Sequence, residues 1–460
     1  MQFDIIVKGG RVASGHGAVR ADLGISGGKV AVLATDLSAA QAGQTIDAGG
    51  KLLLPGIIDV HNHPVYDDEM TGMTTAGVFG GVTTVVPFTG AVKAWGFPQA
   101  PLAEVVRATI DDWSKRSLVD FGLHMVITRA DDPVRDIPMA VELGVTSFKF
   151  FMAYLKRGMQ IDDDKMIAAF DTVAQVGGMA MVHAEHGLGI DYLETKFAAQ
   201  GNVDNGAYLR AHTDLLEAES VLRAIALADA VACPLYVVHL GVKEGFDVAR
   251  LVRKNLSAPL FLETLYHYLL HTNEDVMKRG SLGKIGPPLR NTHDNEATWQ
   301  ALIDGEIDVI GTDHAGYKRA NKVVDGQHIL DAKYGIPGIE HLLPVTYSEA
   351  VSKGRIDLGH MVRLLCENPA KIFGLYPQKG VLAPGADADL VIFDENERWT
   401  ITDENLHGNT DHSMYAGWEI TGKPKLVMQR GQVLMENGNL KVQAGNGQFL
   451  PCRNPSYLSR

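Results

Sequence analysis

Cysteine is scarce in this chain: three residues among 460, at positions 233, 366 and 452, none near another. An odd, scattered set excludes any CxxC motif and fits a reducing compartment better than a disulfide framework. Basic charge is also short, with 42 Lys and Arg against 55 Asp and Glu and a formal net charge of -13. Phosphate backbones need a basic surface, so nucleic acid is not an expected partner. Long apolar runs are missing too. The opening stretch MQFDIIVKGGRVASG has no basic leader followed by an extended apolar segment, so neither a secretory signal nor a membrane span is expected. The expectation is a cytoplasmic protein with no membrane partner. What remains, 46% apolar and 21% charged residues, is a globular composition with length enough for a large domain and a smaller one.

The two ends of the chain read alike. FDIIVKGGRVAS, ADLGISGGKVAVLA and QTIDAGGKLLLPG are short β-rich runs punctuated by Gly-Gly turns, and GADADLVIFDENERWTI and KPKLVMQRGQVLMENGN near the C-terminus resemble them. One small β-sandwich domain, built from residues 1–54 and 377–460, is the expectation. Between them lie eight apolar runs: LLLPGIIDVH, VTTVVPF, VDFGLHMVI, TSFKFFMAY, MAMVHAE, PLYVVHLG, PLFLETL and IDVIGTDH. Amphipathic stretches such as LAEVVRATIDDWSKRS and AESVLRAIALADAVA separate most of them. Eight β-α units in order make an α/β protein, a (β/α)8 TIM-type barrel over residues 55–376.

In such a barrel the chemistry sits at the C-terminal ends of the strands. There the sequence places His61 and His63, Lys149, His183, His239 and Asp313. His61 and His63 are two apart, so a regular strand turns both toward one cavity. A lone histidine at a strand end is more often a satisfied polar residue than a ligand. Lys149, set among Phe148, Phe150 and Phe151, demands a cause, because an isolated buried ammonium is costly. It could snorkel to solvent or pair with Asp313. The set of six is far more specific than any member and points to a metal site. His314 could orient that site or be structural. His124 and His186 are read as non-ligands, and Glu263 as a structural carboxylate.

These residues resemble the cyclic amidohydrolases, the hydantoinase, dihydropyrimidinase, allantoinase and dihydroorotase group of the amidohydrolase superfamily. TIDAGGKLLLPGIIDVHNH, GVTSFKFFMAY, MVHAEHG, YVVHLG, GPPLRN, GTDHAGY, ENPAKIFGLYPQKG and PGADADLVIFD carry the likeness nearly end to end, with YPQKG and GNGQFL closest to the hydantoinases. The resemblance implies two divalent metal ions, zinc by default with manganese or cobalt as options. It implies that Lys149 carries a carbamate bridging both, with His61, His63 and Asp313 on one ion and His183 and His239 on the other. It further implies ring opening of a cyclic amide to an N-carbamoyl amino acid, with Asp313 as ligand and proton shuttle and Tyr154 donating to the oxyanion. A homotetramer, or a homodimer, goes with it, and the extended tail NGQFLPCRNPSYLSR is expected to dock on a neighbour.

Two places depart from the family pattern. Gly286 stands where many hydantoinases have a substrate-binding serine, and Tyr334 replaces the asparagine that opens NGxPG. Both are candidate substrate-binding positions. No element that would recognise a carboxylate is evident, and the apolar residues of VYDDEM and FFMAYL suit an apolar ring substituent. Alternatives to hydantoin or dihydropyrimidine hydrolysis are a binuclear hydrolase of allantoin or of a linear amide or carbamate, and a non-catalytic assembly protein of the dihydropyrimidinase-related kind. The six filled ligand positions argue against the last.

Overall fold

The computed structural model describes residues 2–97 and 100–453. Five strands open the chain: β1 (Gln2–Ser14), β2 (Gly17–Ser26), β3 (Lys29–Ala34), β4 (Gln41–Asp47) and β5 (Leu52–Pro55). Gly27-Gly28 and Gly49-Gly50 lie in turns, as expected. Gly9-Gly10 does not. There β1 continues through a bulge between Val7 and Gly10, with Gly9 at φ 69°. Glycine fits because this bulge holds a left-handed residue.

Ten strands follow in the middle of the chain: β6 (Ile57–Asp59), β7 (Val82–Val85), β8 (Phe88–Thr89), β9 (Asp120–Phe121), β10 (His124–Ile127), β11 (Ser147–Phe151), β12 (Met179–His183), β13 (Leu235–Val237), β14 (Leu260–Leu265) and β15 (Val309–Gly311). Every pairing among them is parallel. One sheet runs β6-β7-β9, the other β15-β14-β13-β12-β11-β10-β8. A parallel bridge from Asn62 to His314 links the end of β6 to the end of β15. These strands are buried throughout, which is why they read as continuous apolar runs and why their few polar residues stand out.

Helices connect most of them: α1 (Met70–Phe79), α2 (Leu102–Arg116), α3 (Pro133–Glu142), α4 (Asp163–Gln175), α5 (Gly187–Ala199), α6 (Asn205–Ala211), α7 (Asp214–Ala230) and α8 (Lys243–Val252). α2 shows the logic. Leu102, Val105, Val106, Thr109 and Trp113 form its buried stripe, with Glu104 in the first turn and Lys115 and Arg116 in the last, where the helix dipole favours them. Among the described residues no helix is long and apolar enough to cross a membrane.

The chain closes with β16 (Leu390–Thr400), β17 (Glu419–Gln429), β18 (Gln432–Glu436) and β19 (Asn439–Leu440). β16 pairs antiparallel with β5, so both ends of the chain share one nine-stranded mixed sheet. Val7, Leu23, Leu53, Leu390 and Met428 form part of its own core. Residues 448–452 of the tail pack on their own chain. Gln448 donates its backbone N–H to Asp120, Leu450 to Phe121 O at 2.8 Å, and Cys452 to Gly144 O at 2.8 Å. The last part of the expected docking segment, residues 454–460, lies outside the described residues.

Lys379 ties the nine-stranded sheet to the β6-β7-β9 sheet. Its buried ammonium donates to Asp120, at the start of β9, and to Asp389, just before β16, both at 2.7 Å, with Asp387 at 3.1 Å.

Candidate metal centre

All nine sequence-derived site residues line one cavity of about 50 Å³: His61, His63, Lys149, Tyr154, His183, His239, Gly286, Asp313 and Tyr334. They come from the ends of β6, β11, β12, β13 and β15 and from the loops beyond them. Tyr154, His239 and Asp313 have φ of 69°, 42° and 45°, the left-handed region that non-glycine residues rarely occupy. Such strain concentrates at functional sites because surrounding structure must hold it.

The donor atoms converge. Asp313 Oδ1 lies 3.1 Å from His61 Nε2 and 2.9 Å from His63 Nε2, and ligand atoms of these three residues fall within 4.8 Å of one another. His183 Nδ1 and His239 Nε2 are 2.8 Å apart. Lys149 Nζ is buried with no hydrogen-bond partner, and 5.0 Å from the Phe88 ring centroid. It neither reaches solvent nor bonds to Asp313. A buried amine without a partner beside paired imidazole nitrogens and a carboxylate fits a site built for cations.

Electrostatics shape each group. Burial pulls the Lys149 amine down to about 7, against the opposing pull of Glu263 and Asp313. Burial, then His183 and Lys149, hold His239 well below the usual imidazole value, leaving a neutral donor. For His61 burial works against charge, but the carboxylates of Glu263 and Asp313 outweigh it and raise the ring to about 9. Burial raises Asp313, and His61 and His63 overcome it, so the carboxyl stays well below its ordinary range.

Behind the donors stand residues whose role was not legible in the sequence. Glu263 accepts from His61 Nδ1 at 2.5 Å, from the Tyr236 hydroxyl at 2.8 Å and from the His239 backbone N–H at 3.0 Å. It therefore turns His61 Nε2 toward Asp313 and secures the neighbouring strand, the usual service of a carboxylate behind a ligating histidine. Glu185 does the same for His183, with Oε2 at 2.8 Å from Nε2 and Oε1 at 2.7 Å from His212. The only sequence signal was a carboxylate inside an apolar run. His124 bonds Ser147 and Val60 O, and His186 caps α5, so neither faces the donors. His314 Nδ1 accepts from the Gly338 N–H at 3.0 Å, and its Nε2 lies 3.1 Å from Asp68.

This donor set at parallel strand ends matches a known pattern: residues 52–434 fit the amidohydrolase family. The chain belongs to that family, in its hydantoinase branch. It is 35% identical to the D-hydantoinase of Ralstonia pickettii, the match covering 98% of this chain and 99% of that protein. It is 32% identical to the L-hydantoinase of Paenarthrobacter aurescens over 98% and 99% of the two lengths. The crystal structure of the dihydropyrimidinase from Brevibacillus agri superposes on this amidohydrolase with a TM-score of 0.92 at 30% identity, covering 98% of each chain.

Proposed function

We propose that this amidohydrolase opens a cyclic amide or imide ring of the hydantoin or dihydropyrimidine class by hydrolysing a ring C–N bond, leaving an N-carbamoyl amino acid. The observation that carries the reading is the buried, unpartnered Lys149 amine beside four imidazoles and the Asp313 carboxylate. Those residues suit two divalent ions, zinc by default. His61, His63 and Asp313 would hold one, His183 and His239 the other, and Lys149, as its carbamate, would join both. The chemistry such ions supply is polarisation of the scissile carbonyl and a lowered pKa for the attacking water.

The rest falls to the protein. Asp313, kept ionised, accepts the proton of the water that attacks the carbonyl carbon and delivers it to the ring nitrogen as the C–N bond breaks. Burial holds the Tyr154 phenol well above its ordinary value, so it stays protonated and donates to the carbonyl oxygen as charge develops there. Glu263 and Glu185 keep two imidazoles in register for many turnovers. Gly286 and Tyr334 border the space where the ring lies.

We also read the parallel strands as a (β/α)8 barrel over residues 55–376, with β7/β8 and β9/β10 as interrupted second and third strands. The Asn62–His314 bridge supports closure. Residues 1–54 and 377–460 form the small sandwich domain, a division supported by their shared sheet and separate core. A homotetramer or homodimer and a cytoplasmic location complete the proposal; the three free, buried cysteines accord with the latter.

A substrate panel on the metal-loaded enzyme tests the function. Hydantoins and dihydropyrimidines are expected to open, with metal removal abolishing turnover. Hydrolysis of linear amides alone, with every ring left intact, would overturn the reading.

A further inference from the structure

Sequence alone suggested an apolar home for the ring substituent; the structure puts a cation there. A second cavity, about 420 Å³, adjoins the metal cavity, and Tyr154, Arg157 and Tyr334 line both. A ring held at the donors would direct its substituent along this shared wall. Three Lys and Arg side chains line the two cavities. Lys149 belongs to the donor set, and Lys156 pairs with Asp191 at 3.2 Å. Arg157 remains, and among the described residues no hydrogen bond or ion pair engages its guanidinium.

Aromatic rings hold it in place. The Arg157 Cζ lies 5.5 Å from the Tyr154 ring centroid and 5.2 Å from that of Tyr334. Burial works against its charge, and the titratable groups that weigh most on it are the phenols of Tyr66, Tyr154, Tyr334 and Tyr317. Three of the four carboxylates that line the second cavity are engaged elsewhere, Asp191 with Lys156, and the fourth is Asp331. Glu185 faces His183 and His212, and Glu194 faces His212 and the Tyr334 hydroxyl. A half-buried guanidinium between rings keeps its planar fork of donors in one orientation, and that fork matches a carboxylate in bidentate fashion.

We propose that Arg157 binds a carboxylate carried on the exocyclic substituent of the ring, so that the preferred substrates are acidic 5-substituted hydantoins or their six-membered counterparts. The inference rests on the ring-opening function and narrows its substrate class. Hydrolysis of such a ring yields a product with two carboxylates, one from the ring carbonyl and one from the substituent.

The test compares hydantoins bearing 2-carboxyethyl or 2-carbamoylethyl at C5, which differ in charge and little in shape. The metal-loaded wild type is expected to favour the acid by ~10-fold or more in kcat/KM, chiefly through KM, the range of one charge-assisted hydrogen-bonding pair. Arg157→Leu should bring the ratio near one, and Arg157→Lys should keep part of it. Calorimetry with N-carbamoylglutamate and N-carbamoylglutamine gives a readout independent of turnover, with the same preference expected and the same loss. Equal kcat/KM and equal binding of acid and amide by the wild type, or an acid preference that survives in Arg157→Leu, would overturn the proposal. Ring opening without acid preference would leave the function standing and remove the carboxylate site. Acid-selective binding that depends on Arg157, with no ring opened, would do the reverse.

Discussion

Gly286 and Tyr334 occupy one another's space. A Cβ on Gly286 would stand 2.9 Å from Cδ1 of the Tyr334 ring and collide with the Tyr154 hydroxyl. The two departures from the hydantoinase pattern are therefore one. Removal of a side chain at 286 makes room for a ring at 334. That ring does not aim its hydroxyl at the metal donors. It points away, 3.3 Å from Glu194 and 3.4 Å from His212 Nε2, with the Lys284 ammonium 4.1 Å from the ring centroid.

The pairing predicts non-additivity. Gly286→Ser alone overpacks the wall and should lower kcat/KM by the equivalent of ~1–3 kcal/mol. Tyr334→Asn in the same chain should relieve part of this, with a coupling energy of about 1 kcal/mol or more in a double-mutant cycle. Additive effects would show that the two sites do not meet.

Lys149→Ala is expected to lose most bound metal and activity, with partial rescue by short carboxylic acids that stand in for the carbamate. Metal analysis and turnover with and without added acid check it. Full activity at normal metal content would remove Lys149 from the centre.

Asp313→Asn keeps the size and removes the base. Turnover should fall by ~10²-fold or more even where metal is retained. A metal-replete Asn variant turning over at near wild-type rate would count against the proton shuttle.

Glu263→Gln should weaken metal binding by ~10–100-fold without removing a donor, because His61 and the His239 backbone lose their carboxylate. Metal competition with a chelator measures it. Unchanged affinity would reduce Glu263 to packing.

Lys379→Met leaves Asp120, Asp387 and Asp389 facing each other without their shared cation. Unfolding in urea should show a loss of ~3–5 kcal/mol, the scale of a broken buried ion cluster. Burial lowers the Lys379 pKa, but Asp389 and Asp120 raise it above the ordinary 10.5 overall. A group whose folded pKa is raised contributes fully below its unfolded value, so this stabilisation should hold through neutral pH and fade only as pH climbs past 10.5. A variant as stable as wild type at pH 7 would contradict the role.

The six candidate donor positions were legible because five are polar residues ending an apolar run and Lys149 is a charge inside one, a local pattern that strand burial imposes on composition. His-x-His at 61 and 63 and the lysine within SFKFF needed no neighbours to be noticed. The parallel α/β character of the middle of the chain was legible for the same reason, since apolar runs alternate with helical patterns. Gly9-Gly10 misled because a glycine pair admits a turn or a bulge with equal ease, and only the partner strands β2 and β4 decide between them. The tail's contacts with its own chain were not legible because its acceptors, Phe121 and Gly144, lie some three hundred residues away.

Glu263, Glu185 and Arg157 belong to the same class of unknowns. A carboxylate in FLETL becomes the support of His61 only when β14 lies beside β13 and near β6. Arg157 reads as one more surface charge in YLKRG until Tyr334, from a sequence-distant loop, closes on it opposite its near neighbour Tyr154. Composition and periodicity settle which side chains are buried, because burial acts residue by residue. Which buried charge meets a partner and which faces a cavity depends on long-range packing, and here only the tertiary structure decided it.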